Sequence, residues 1–124
     1  MTDREPTVIV AGARTPIGKF AGALADLKAV ELGALAVRAA LERSGLEPES
    51  VEYVILGQVL QAGAGQITAR QAAIKGGVPQ QVPAVTVNKV CLSGLNAIAM
   101  ADQMIRAGEL ETVLGGPAET PLET

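Results

Sequence analysis

An α/β fold, a sheet layered between helices, is predicted by three features of the sequence. Short β-branched runs alternate with longer amphipathic stretches in the order β, α, β, α, β, α, β. Glycine stands where each helix should stop, at Gly45, Gly76 and Gly108. The 124 residues carry no repeat or linker and are 48% apolar, so one packed unit is expected; aromatics are only 2%, so its core must be Val, Ile, Leu and Ala.

The elements follow in order. Thr7-Val-Ile-Val10, closed by Ala11-Gly12, predicts a buried first strand. Arg14 to Gly18 is a loop punctuated by Pro16 and Gly18. From Ala29 to Ser44, Val30, Leu35, Val37 and Leu41 recur on one side and Glu31, Arg38, Glu42 and Arg43 on the other, which predicts an amphipathic helix. Tyr53-Val-Ile-Leu56 predicts a second strand, and Gly57 to Gln66 a glycine-rich loop. Ile67 to Lys75 predicts a short helix, Pro83 to Val87 a third strand and Gly94 to Ala107 a third helix. Glu111 to Leu114 is a weak fourth strand, with Gly115-Gly116-Pro117 expected to close it. The third helix is unusual. Leu92, Leu95, Ala97, Ile98, Ala99, Met100 and Ala101 leave only Ser93 and Asn96 polar before Asp102, a pattern that predicts burial on all sides and so asks for a further covering layer.

Ten basic against thirteen acidic residues give a net charge of −3, with no basic patch, so neither a nucleic-acid nor an anionic-membrane surface is expected. No apolar run reaches the length of a membrane span. Asp3-Arg-Glu-Pro6 ahead of a short apolar run does not read as a secretory leader, so none is expected. A single cysteine fits a reducing compartment. Together these features predict a cytoplasmic protein; separately, neither a metal nor a cofactor is expected. Histidine is absent, so no imidazole in the chain can act as general acid or base.

Cys91 admits two readings. A lone cysteine is often a small buried hydrophobe. Cys91, however, stands where a strand hands over to a helix, followed by the small-residue run Leu-Ser-Gly. There the helix dipole favours thiolate, and first-turn amides can receive an oxyanion. Lys89 puts a cation two residues away, on the same face if the strand continues that far.

The segment Asn88-Lys-Val-Cys-Leu-Ser-Gly-Leu-Asn-Ala-Ile98 resembles the nucleophile motif of the thiolase family. Val8 to Phe20 resembles the family's opening strand and loop, Gly57 to Ala73 the loop and helix before the nucleophile, and Ala101 to Gly108 the continuation of the nucleophile helix. The resemblance covers residues 7 to about 110 and is to the acetyl-CoA acetyltransferase branch; residues 111–124 diverge from the pattern, so 1–124 reads as a partial thiolase N-terminal domain.

The resemblance implies that Cys91 takes an acyl group from acyl-CoA and passes it to a second acetyl-CoA, giving a 3-ketoacyl-CoA, or runs the reverse thiolytic cleavage. It implies acyl-CoA and coenzyme A as substrates and a homodimer or homotetramer, with Gln66, Arg70, Asn88 and Lys89 as interface candidates. For Gln66 and Arg70 a solvated helix face is the other reading. Arg14 and Lys19 are either contacts for CoA phosphates or ordinary surface residues. Gly63-x-Gly65 is a tight turn or, with its third glycine missing, a weak nucleotide loop.

The family's fold is three-layered α/β/α, its first half a five-stranded mixed sheet of order 3-2-4-5-1. Four of those strands are expected here. The family's Gly-His, Asn-Glu and Cys-x-Gly catalytic segments have no counterpart in the 124 residues, so the chain is expected to be inactive alone. A ketoacyl synthase shares the fold and the cysteine's place, but Val90 and Leu92 depart from its usual neighbours. The remaining alternative is a non-catalytic interaction fragment.

Overall fold

The computed structural model describes residues 6–119. Three helices and three strands alternate: α1 (Ala29–Ser44), β1 (Tyr53–Gly57), α2 (Thr68–Lys75), β2 (Ala84–Val87), α3 (Ser93–Arg106) and β3 (Val113–Pro117). The limits of α1 are those its periodicity predicts, with Gly45 following in a left-handed conformation. Glu31 reaches back to the Lys28 amide at 2.8 Å and closes the first turn.

All three strands are parallel, in the order β2-β1-β3. The connection β1-α2-β2 steps one way along the sheet and β2-α3-β3 steps back past β1. Crossovers of one hand that reverse direction must place their helices on opposite faces. The core divides accordingly. Val54 and Leu56 face α1 and α2, among Val30, Val37, Leu41, Ala69, Ala72 and Ala73. Ile55, one residue out of phase, faces Ala97 and Ala101 of α3, with Tyr53, Val85, Val87, Met100, Met104 and Val113 around them. The result is a three-layer arrangement around a small sheet.

Three expectations are corrected. The first strand does not form. Val8, Ile9 and Val10 form no ladder with any described residue and are 70%, 81% and 62% exposed. The segment is tethered at its far end, where Arg43 donates to the Gly12 carbonyl at 3.0 Å. In the family's order a fifth strand lies between strand 4, which is β3 here, and strand 1. No described residue supplies it, so residues 7–10 have no ladder to join, and the described sheet holds three strands rather than four.

The last strand, secondly, runs through Gly115 and Gly116 to Pro117 instead of ending before them. A proline is tolerated there because β3 is an edge. Thirdly, α3 is buried on one side only: Leu92, Leu95 and Ile98 point outward, Leu95 with 65% of its surface exposed. The covering layer that its sequence asks for is not among the described residues. No helix among the described residues is long and apolar enough to cross a membrane.

Beside α3, Asp102 and Arg106 form an i,i+4 ion pair with N–O distances of 2.8 and 3.0 Å. The Arg106 guanidinium holds the Asp102 carboxyl below its usual value of 3.8, and the Thr7 hydroxyl, which lies beside it without reaching hydrogen-bond geometry, adds to the effect. A lowered carboxylate pKa stabilises the fold above the unfolded value and loses that contribution as pH falls through the folded one. The pair is at the surface, so its contribution is small. A carboxyl NMR titration is expected to place Asp102 below 3.8, and Arg106→Ala to return it toward that value.

Candidate active site

The carboxyl ends of all three strands lie together, and the loops that leave them form the candidate site; in open parallel sheets this is the edge where ligands bind. β1 ends in Gly57. A Cβ there would lie 2.4 Å from the Ser93 carbonyl carbon and 2.7 Å from the Gly94 nitrogen, so the missing side chain is what lets α3 start against the strand. Gln58 follows, almost wholly buried. Its amide nitrogen donates to the Leu60 carbonyl at 2.8 Å, and its oxygen accepts from the Thr68 hydroxyl at 2.5 Å. Thr86 accepts from the Ala69 amide, so β1, β2 and the start of α2 are joined by one polar network.

The next residue is held from two directions. Glu119, just past β3, accepts from the Val59 amide at 2.6 Å, while Asn88, just past β2, donates to the Val59 carbonyl at 3.3 Å. The glycine-rich loop is thereby fastened to both neighbouring strand ends. Gly63 and Gly65 have φ of 73° and 91°, and the Gln71 side chain occupies the space beside Gly65. This supports the tight-turn reading of these glycines over a phosphate cradle.

Cys91 is exposed among the described residues. It precedes α3 in a turn from Asn88 to Leu92. β2 stops at Val87, and Val90 reverses the chain at φ 52°, so the strand does not continue far enough to put Lys89 and Cys91 on one strand face. A β-branched residue in that region is a true outlier, at about 1–3 kcal/mol of strain. Five hydrogen bonds hold it. The Asn88 side chain accepts from the Val90 amide at 3.0 Å. The Ser93 hydroxyl accepts from the Lys89 amide at 2.8 Å and donates to the Val90 carbonyl at 2.6 Å. The Leu92 and Ser93 amides turn back to the Lys89 and Val90 carbonyls. The Leu92 and Ser93 amides are therefore engaged within the turn.

Among the predicted residues, Asn88, Lys89 and Cys91 share this turn. Gln66 and Arg70 lie elsewhere, along a groove of about 370 Å³ on α2 with Ile67, Gln71 and Ile74. The Arg70 guanidinium donates to the Gln80 and Val82 carbonyls at 3.0 and 3.3 Å and so braces the connector to β2. Arg14 lines a separate cleft of about 530 Å³ between its own loop, α1 and the end of β3; Lys19 does not. Sequence reasoning passed over Ser93, Gln58 and Glu119. A glutamine directly after a buried strand was the available signal for Gln58, and a serine opening an otherwise apolar helix the one for Ser93; nothing local marked Glu119.

The comparisons with known proteins bear on the whole of this region. The family model for the thiolase N-terminal domain matches residues 7–120. The chain belongs to the thiolase family. It is 57% identical over 113 residues to a probable acetyl-CoA acetyltransferase of Mycolicibacterium smegmatis, covering 91% of this chain and 29% of that protein. It is 57% identical over 119 residues to the acetyl-CoA acetyltransferase of Cupriavidus necator, covering 96% of this chain and 30% of that one. A crystal structure of a thiolase from Ascaris suum in complex with coenzyme A superposes with a TM-score of 0.80 at 42% identity, over 82% of this chain and 27% of the other. This thiolase chain thus spans under a third of the length of the relatives it matches. Three helices and a three-stranded parallel sheet are the part of the fold that its described residues form.

Proposed function

We propose that Cys91 is the acyl-accepting nucleophile of a thiolase-type acetyl-CoA acetyltransferase. The observation that carries this reading is an exposed thiol on a strained, heavily braced turn at the carboxyl edge of the sheet, inside the segment that resembles the family's nucleophile motif. The thiolate attacks the thioester carbonyl of acyl-CoA, the carbon–sulfur bond to coenzyme A breaks, and coenzyme A leaves as its thiol after taking a proton. One thioester replaces another, so the step is nearly balanced in bond type and readily reversed. In the complete reaction the acyl group goes to the enolate of a second acetyl-CoA, giving acetoacetyl-CoA, or the cycle runs backwards to cleave a 3-ketoacyl-CoA.

That second half-reaction needs a base for the enolate. The chain has no histidine and no second cysteine, so turnover by this chain alone is not part of the proposal. The exposed apolar face of Leu92, Leu95 and Ile98 favours a second reading, a thiolase-derived chain that acts through its surfaces, assembling as a dimer or tetramer with Gln66, Arg70, Asn88 and Lys89 as contacts. Incubation with acetyl-CoA followed by intact-mass and peptide analysis separates the two. A single acetyl group on Cys91, absent from Cys91→Ser, is the expected result. An unmodified chain after prolonged incubation would leave the surface reading standing.

A further inference from the structure

We infer that Asn88 and Ser93 are positioning residues for Cys91: together they hold Val90 in its left-handed conformation and so fix the direction in which the thiol is presented. The inference rests on the nucleophile reading of Cys91. It starts from the strain at Val90, a β-branched residue at φ 52° and in an exposed turn, where core packing does not hold it. Such a conformation lasts only when its surroundings over-determine it.

The two side chains do so from opposite ends. Asn88 makes an Asx-type turn, accepting from the amide two residues on at 3.0 Å, and its other end is anchored on the Val59 carbonyl at 3.3 Å. Ser93 is 3% exposed, and its hydroxyl bridges the turn, accepting from the Lys89 amide and donating to the Val90 carbonyl. Every peptide group flanking Val90 is thus tied to one of these two side chains. Without either tie, the strained residue is free to relax toward the common β or α region, and rotation there swings the Cys91 thiol. Because Val59 is also held by Glu119, the direction of the thiol is referred to the ends of all three strands.

The test compares the unaltered chain with Ser93→Ala, Asn88→Ala and Asn88→Ser. The last keeps a hydroxyl able to accept from the Val90 amide. Three rates are read: acetyl transfer from acetyl-CoA to Cys91, alkylation of Cys91 by iodoacetamide, and hydrogen exchange of the Lys89 and Val90 amides. Small displacements at a reacting centre cost about 10²-fold in rate. Acetyl transfer is therefore expected to fall at least about tenfold in both alanine variants and to recover in Asn88→Ser. Alkylation, which needs no fixed approach, should change little, so the ratio of the two rates separates orientation from simple loss of fold. Exchange should quicken at Lys89 in Ser93→Ala and at Val90 in Asn88→Ala. Unchanged acetyl transfer in folded alanine variants overturns the inference. Should the unaltered chain accept no acetyl group, the nucleophile reading falls by itself. The clamp is then judged on exchange alone, and retained protection at Lys89 and Val90 in the variants overturns it.

Discussion

Gly57→Ala is expected to destabilise the fold by about 3 kcal/mol, at the upper end of what an added methyl group costs in a packed interior. The reason is the kind of atom it would meet. The new Cβ would fall 2.4 Å from the Ser93 carbonyl carbon, 2.6 Å from its oxygen and 2.7 Å from the Gly94 nitrogen. These are backbone atoms at the start of a helix, and no rotamer change can move them aside. Either β1 or α3 must shift, and both carry core contacts, Ile55 on the strand and Ala97 on the helix. The effect also reaches the candidate site, since Ser93 braces the Cys91 turn. Urea titration followed by circular dichroism at low protein concentration measures the loss. Gly12→Ala serves as control, because nothing lies within 4 Å of its added Cβ, and it should stay within about 0.5 kcal/mol. A Gly57→Ala chain as stable as that control would mean that α3 does not start against β1 as described.

The sequence announced some of these features and concealed others, for physical reasons. α1 was legible to the residue because its apolar period and Gly45 are both local signals. The alternation of strands and helices was legible for the same reason, and so were β1 and β2, each a run closed by a turn. Thr7-Val-Ile-Val10 was misread because a strand is not a local object. Its β-branched residues fit a sheet, but a ladder partner decides, and none of the described residues provides one. Gly115-Gly116 was misread in the opposite sense: glycines that mark a turn in isolation here continue β3 beside β1, Gly115 opposite Ile55 and Gly116 opposite Leu56. At the candidate site the motif around Cys91 stood out from residue types alone. What holds the turn did not, because the role of Ser93 depends on a chain reversal at Val90 that no propensity of valine foretells. Glu119 lies sixty residues from the amide it binds, a distance no sequence window spans.

Purified alone, the chain is expected to self-associate with increasing concentration. It exposes 7900 Å², against about 6,200 Å² for a compact monomer of its mass. The apolar part of that surface is concentrated rather than scattered. Leu92, Leu95 and Ile98 lie on one outward face of α3, Val8, Ile9 and Val10 lie along one unpaired segment, and β2 and β3 each offer an open sheet edge. Burying an exposed aliphatic side chain contributes about 1.5–3 kcal/mol, so covering the α3 face alone outweighs the loss of a few surface contacts. Sedimentation velocity over a range of concentrations measures the association. The double variant Leu95→Glu with Ile98→Lys should shift it strongly toward monomer, since the two charges sit one turn apart on the outer face and can pair with each other. Leu46→Glu, at an isolated exposed leucine, should not. A monodisperse monomer with a cooperative thermal transition would show that the exposed face is tolerated in water. Association that persists in the double variant would instead assign it to the open edges, where strand pairing needs only backbone groups and surface charge on α3 has no hold.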